Sequence, residues 1–301
     1  MPNSNVQARL QSRDLEAIDN VLYEAKQEEL TARSIFNVKT DIPAGAEVYG
    51  YDVLERSGAA KIIANGADDL PLVDVDVKRY YAQIYTIALG FRYSLQDLRQ
   101  SQMTGQSVDA NKAATVRRGI AEKENKLAWV GDSKYNIQGI ATAAGIQVEA
   151  VGNNAAGTST KWAQKSSEEV IEELRKLRKR ITILPGYGDA ALVLALPPDQ
   201  YEELNRRYSD FDSRTLLKVI QDNQWFAQIK RVADLKGVGL NNSDSLLIFH
   251  SEPETAELLL PMDITRLQEE WKYPNWKVPC EERFGGAVVR APHAILRADG
   301  I

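Results

Sequence analysis

Few residues in this chain have the type and spacing that chemistry needs. Gly186, Tyr187, Gly188, Asp189, Ala190 and Ala191 have the spacing of a dinucleotide-binding loop, with alanine in the last place. Such a loop turns a strand into a helix amino terminus, whose backbone amides meet a pyrophosphate. Here the strand-like run ALVLALPP follows instead, so the six residues read as a turn from helix to strand. His250 and His293 are the only histidines, and only Glu252 lies near either of them. That is short of a metal-ligand set. Cys280 is the single cysteine, which excludes an intrachain disulfide and a multi-cysteine zinc site. Nothing beside it would activate a thiolate, and it reads as an inert residue in β-rich text. Asp74 and Asp76 alternate with valines, as on a solvated strand face. Tyr81, Tyr85, Phe91 and Tyr93 could stack on bases, but such platforms come with a dense basic groove. Only Lys78, Arg79 and Arg92 lie nearby, so these rings read as a sheet face or a contact between subunits. No catalytic, cofactor-binding or metal-binding residue is assigned, and no enzymatic activity is expected.

The elements around these residues are more informative. Residues 107–140 organise the chain: Ala113, Val116, Ile120 and Leu127 share one face of a long amphipathic helix, which Gly131 ends in a left-handed conformation. Arg117, Arg118, Glu122, Lys123 and Glu124 belong to its solvent side. Upstream, Leu15, Ile18, Leu22 and Ala25 predict a helix of about 18 residues, and IPAG at 42–45 closes that region. Strands are expected at 47–54 and 60–64 around a Ser57-Gly58 turn, forming a hairpin. Period-two alternation then runs from Val73 through Tyr93. Fully extended, 72–93 would reach roughly 60 to 70 Å, more than the roughly 40 to 45 Å width of a compact domain of this length. Either the strand breaks or part of the sheet leaves the globule, and an isolated two-stranded ribbon needs another surface to lie on.

Ser94 caps a short helix over 94–99, and Met103, Thr104 and Gly105 separate it from the long one. GNNAAGTST at 152–160 is loop. Ser166 and Glu169 have capping-box spacing ahead of the stripe Val170, Leu174, Leu177 and Ile181. A buried strand over 190–196, helices over 198–208 and 213–221, and strands over 225–232, 246–250 and 257–261 suggest an inserted subdomain, followed by turn-rich β text from 276 to 301.

The chain has 301 residues, 44% of them hydrophobic and 26% charged, as in an ordinary globular protein. Its formal charge of −5 lacks the positive field that drives unspecific nucleic-acid binding. The amino terminus has no apolar core of a secretory signal and no apolar run reaches bilayer length, so synthesis in the cytosol and no membrane partner are expected.

Taken in order, these segments resemble the major capsid proteins of tailed bacteriophages, the Hong Kong 97-type fold shared with encapsulins. The likeness rests on the helix and arm ending at IPAG, the hairpin EVYGYDVLERSGAAKIIANGADDLP, the passage QIYTIALGFRYSLQDLRQ, the helix running into KENKLAWVGDSKYNIQGI, and the ending ERFGGAVVRAPHAILRADGI. It implies an α+β chain with an amino-terminal arm and helix over 1–44 and an extended β-hairpin loop over 45–85. A peripheral domain would take 86–188 and 259–301, with its spine helix at about 107–130, and an inserted axial domain would take 189–258. The turn 131–139 would be a hinge in the peripheral domain.

The implied function is structural: self-assembly through arm, extended loop and axial domain into an icosahedral shell around a double-stranded DNA genome. The partners would be further copies of the chain in pentamers and hexamers, with a separate scaffolding protein, portal and decoration proteins as candidates. The DNA would be held without sequence-specific contacts. The place would be the virion, after assembly in the bacterial host cytoplasm. The alternative is an encapsulin-type shell around a cargo enzyme, and a distant third is an enzyme using the GYGDAA loop. Some family members crosslink a loop lysine to a distant asparagine; Lys61 and Asn275 are available, without spacing that pairs them.

Overall fold

The computed structural model describes residues 29–57, 74–104, 108–209 and 211–301. The expected helix around Leu15 to Ala25, the strand at 60–64 and Lys61 lie outside these residues. The described chain begins with a short helix, α1 (Ala32–Ile35), and a short strand, β1 (Asn37–Lys39). Then come β2 (Val48–Ser57), β3 (Asp74–Gln83) and β4 (Tyr85–Ser94). Next are α2 (Leu95–Thr104) and the long α3 (Val108–Trp129), which runs into a small hairpin of β5 (Gly131–Asp132) and β6 (Ile137–Gln138).

The second half holds β7 (Gln147–Ala150), α4 (Ser167–Thr182), β8 (Leu192–Leu196), α5 (Pro198–Glu203) and α6 (Leu216–Asp222). Strands β9 (Gln228–Arg231), β10 (Ser245–His250), β11 (Ala256–Leu259) and β12 (Met262–Arg266) follow. The last four are β13 (Glu270–Lys272), β14 (Asn275–Phe284), β15 (Ala287–Val289) and β16 (Ile295–Asp299).

The run LVLAL is apolar at every position because β8 is covered on both faces. It lies inside a five-stranded sheet of order β7-β16-β10-β8-β9. Leu192, Leu194, Leu196, Leu246, Ile248 and Leu296 meet Val170, Leu174, Leu177 and Ile181 of α4 in one core. Val193, Ala195, Leu247, Phe249 and Ile295 face a second core with Leu127, Ala128 and Trp129 from the end of α3. The other half of α3 supplies Val116 and Ile120 to a third core under β4 and β14, with Phe91, Tyr93, Val278 and Cys280. One helix thus ties two cores together, as its apolar spacing requires.

The capping box of α4 is present: Ser166 Oγ accepts from the Glu169 amide at 3.2 Å and Glu169 accepts from the Ser166 amide at 2.6 Å. The 152–160 loop is wound around Asn154, whose Oδ1 accepts from the Thr158 and Ser159 amides. Gly131 has φ +74°, and a Cβ on Gly139 would stand 2.3 Å from the Gly131 nitrogen.

Several expectations are corrected. Ser57 ends a strand and does not turn: β2 pairs over ten residues with β3, from Val48↔Gln83 to Ser57↔Asp74. The long alternation breaks at Ile84, which is buried among Ile42, Leu259 and Val288 while its amide donates to Glu47 O at 2.8 Å. That anchor sends β3 into a ribbon and β4 onto β14. Helix α2 continues to Thr104 and therefore takes in Met103. The helix after Pro198 ends at Glu203, where the chain turns into an Arg207↔Thr215 bridge, and α6 starts at Leu216 with Thr215 as its cap. Strands β1, β12 and β13 had no expectation behind them. Each is five residues or fewer and is stabilised by its partner strand more than by its own pattern.

Candidate functional site

The residues singled out for chemistry do not converge. The GYGDAA segment is a turn between α4 and β8, with Gly186 at φ +88°. Its Tyr187 ring lies edge-on between the imidazoles of His250 and His293, at centroid distances of 5.8 and 5.6 Å. His250 Nδ1 is 3.3 Å from Thr255 Oγ1. Cys280 is buried in β14 under the long helix. Among the described residues, no group of three or more His, Cys, Asp or Glu side chains is placed to hold a metal, and no helix is long and apolar enough to cross a membrane. The aromatic series is split by the break at Ile84: Phe91 and Tyr93 are core, whereas Tyr81 is 67% exposed.

What the chain does build is a ribbon, a clasped arm and a helical spine. Strands β2 and β3 form a two-stranded sheet, with no third strand among the described residues, about 33 Å long at the usual rise per residue. Its root is held. Tyr49, Tyr51 and Ala82 pack on the Ile42, Ile84, Leu259 and Val288 cluster. Arg283 donates to the carbonyls of Ala44 and Ala46, and the Arg290 guanidinium stands 6.0 Å from the Tyr51 ring. Burial raises the Tyr51 phenol above its ordinary range. The cross-strand register puts Val48, Gly50, Asp52, Val77, Arg79 and Tyr81 on the opposite face. There Asp52 takes a two-pronged bond from Arg79 at 2.6 and 2.9 Å, and Val48, Val77 and Tyr81 are open to solvent.

The arm, 29–39, is clasped by the spine. Asn125 Oδ1 accepts from the Thr31 and Ala32 amides, and Phe36 lies between the Trp129 and Phe249 rings. Arg33 bonds both oxygens of Glu124 at 2.7 Å, Glu282 at 2.8 Å and Asp263 at 3.0 Å. Glu124 is therefore buried, not solvent-facing as its helical position suggested; Arg117, Glu122 and Lys123 are exposed. The Glu124 bond holds the Arg33 guanidinium firmly protonated. Burial works upward on Asp263, but its bond from Arg33 carries it below the usual carboxylate range. Glu282, with no exposed side-chain surface, is pushed up to about 8 by burial and then by the neighbouring Glu124. Sequence reasoning missed Arg33 and Glu282. A signal existed, since Glu282 occupies the inward series Val278, Cys280, Glu282, Phe284 of β14.

Comparison with known proteins decides the family. The family model described as "Major capsid protein" matches residues 58–301. The chain belongs to the major capsid protein family. Its role is accordingly structural, that of a capsid subunit. The capsid of Myoviridae phage XM1 superposes with a TM-score of 0.81 at 12% identity, covering 97% of this chain and 99% of that one. The capsid of a native GTA particle gives 0.70 at 14% identity, covering 99% and 98%. The type 1 encapsulin shell protein EncA of Myxococcus xanthus is 21% identical over 193 residues, 64% of this chain and 62% of that protein's own length. The fold is thus the α+β capsid fold of the Hong Kong 97 type.

Proposed function

We propose that copies of this chain assemble, through the ribbon, the arm and an axial domain, into an icosahedral shell that encloses a double-stranded DNA genome. The observation that carries this reading is the ribbon. Among the described residues ten residue pairs stand without a third strand, and the exposed face presents Val48, Val77 and Tyr81. A two-stranded sheet in water is marginal by itself, and a shell subunit supplies the missing surface from a neighbouring copy through heterologous contacts.

In this reading 1–44 is the arm, 45–85 the extended loop, 86–188 with 259–301 the peripheral domain around α3, and 189–258 the axial domain. The core that fills 189–258 is shared with α4, β7 and β16, which this division assigns to the peripheral domain. A net charge of −5 suits a container whose wall does not hold its contents tightly. Assembly takes place in the bacterial cytoplasm, with a scaffolding protein, portal and decoration proteins as further partners.

The test is to replace Tyr81 and Val77 together by Asp. The expected outcome is loss of large particles by light scattering, with thermal unfolding of the subunit unchanged within about 0.5 kcal/mol, as for surface positions. Particles of undiminished yield would remove the ribbon from the assembly surface. The likeness to EncA favours a second reading, an encapsulin-type shell around a protein. Purified particles that carry a stoichiometric second protein and no nucleic acid would select it.

A further inference from the structure

The five-stranded sheet ends in two edges that are unlike. In the order β7-β16-β10-β8-β9, no strand among the described residues lies beyond β7 on one side or beyond β9 on the other. Strand β7 runs parallel to β16 and β9 parallel to β8, while β10 is antiparallel to both β16 and β8. The two edge strands therefore point the same way. Val151 donates to Asp299 O at the end of β7, and Val232 donates to Leu196 O at the end of β9. Backbone groups alternate in direction along a parallel ladder, so Val148 and Ala150, like Ile229 and Arg231, turn their N–H and C=O groups away from the sheet. Rows of this kind are templates for a further strand.

Charge separates the two edges. Beside β7 a cleft of about 530 Å³ is lined by Glu149 of the strand and by Glu168, Glu169, Glu172 and Glu173 of α4, against Lys165 and Lys176. Beside β9 a cleft of about 590 Å³ is lined by Lys230 and Arg231 of the strand, against Glu29, with Pro198, Tyr201 and Ile229 as its apolar wall. Lys230 makes no ion pair among the described residues. Glu149 is held by Arg180 at 3.1 Å and Arg231 by Glu202 at 3.2 Å. Both pairs are open to water, where such bonds contribute little and exchange readily. The register also sorts the faces. Glu149 lies opposite Ala298 and Arg231 opposite Leu196, and both of these partners belong to the core under α4. Val148 and Lys230 take the other face, and Val148 is 49% exposed.

We propose that β7 of one copy pairs in parallel with β9 of a second copy, continuing the sheet across the boundary. Glu149 then stands opposite Arg231 on one face, and Val148 lies against the aliphatic stem of Lys230 on the other. The two edges of one chain are complementary and non-identical, which is what a heterologous contact needs, and repetition with a closing rotation makes a ring. Like edges do not join in this way: β7 on β7 brings glutamates together, and β9 on β9 brings Lys230 and Arg231 together. The contact names surfaces through which copies meet in the shell proposed above, and it rests on that reading.

The test is charge exchange in the full chain. Glu149→Lys and Arg231→Glu each set like charges across the boundary, and each should lower particle yield by about tenfold or more, read by light scattering at one protein concentration. The chain carrying both changes exchanges the two edges and should recover the yield. Melting of the unassembled subunit should not separate these variants from the parent, since both positions are exposed. A chain with Val148→Cys and Lys230→Cys reads the contact directly: mild oxidation of assembled material should give disulfide-linked multimers that reduction dissolves. The native Cys280 is buried and does not compete. Parent particles with undiminished yield from both single reversals, a double exchange no better than the singles, or assembled material without linked multimers would overturn this contact and leave the shell reading standing. Parent chains that form neither particles nor linked multimers would overturn both.

Discussion

Arg33 shows how much of the arm's attachment rests on one side chain. Its removal leaves Glu124 and Glu282 buried side by side with no cation between them. Breaking a buried pair from one side costs about 3 to 5 kcal/mol, and the half-exposed position of Arg33 places Arg33→Ala at or below the lower end. The expected outcome is a loss of about 2 to 3 kcal/mol in urea unfolding, larger above pH 8 than below it, because an ionised Glu282 then stands beside Glu124 without its cation. The residues that looked chemical in the sequence, Gly186 to Ala191, His250, His293 and Cys280, form a turn, an aromatic sandwich and a core position. The ones that matter were hidden by distance: 249 positions separate Arg33 from Glu282. A carboxylate at an inward strand position was visible at Glu282, but its partner lies in an arm whose path no local pattern encodes.

At the scale of elements, helices with their own periodicity and caps were legible. The shared face of Val116, Ile120 and Leu127 is buried, and so is the stripe Val170, Leu174, Leu177 and Ile181 behind its capping box. The partnering of β2 was not legible, because Ser57 reads as a turn residue and only the register shows that it is still paired, with Asp74. Nor was the break at Ile84, which fits the alternation on either side and is set apart by the core it enters. Between α3 and the rest of the fold, β5 and β6 are joined so closely that Gly139 has no room for a side chain: its Cβ would meet the Gly131 nitrogen and the Val130 carbonyl carbon at 2.3 Å. Both are backbone atoms and cannot step aside. Gly139→Ala should therefore destabilise by about 2 kcal/mol or more, with exchange protection lost first at 130–139. An unchanged midpoint in denaturant would show that the hairpin is looser than drawn.

For the whole molecule, the order of segments carried more than any motif. The chain superposes on the capsid of phage XM1 over 97% of its length although only 12% of aligned residues are identical. In this chain the elements that stand out are a helix long enough to join two cores and a two-stranded ribbon of ten residue pairs. Both are readable from periodicity.

The most direct measurement is cryo-electron microscopy of this chain, expressed alone and together with a candidate scaffolding protein. Closed shells are predicted, with the ribbon of each subunit lying on another copy and Val48, Val77 and Tyr81 buried there. A species that stays monomeric at high concentration under every condition tried, or a shell in which the ribbon face remains open to solvent, would contradict the account.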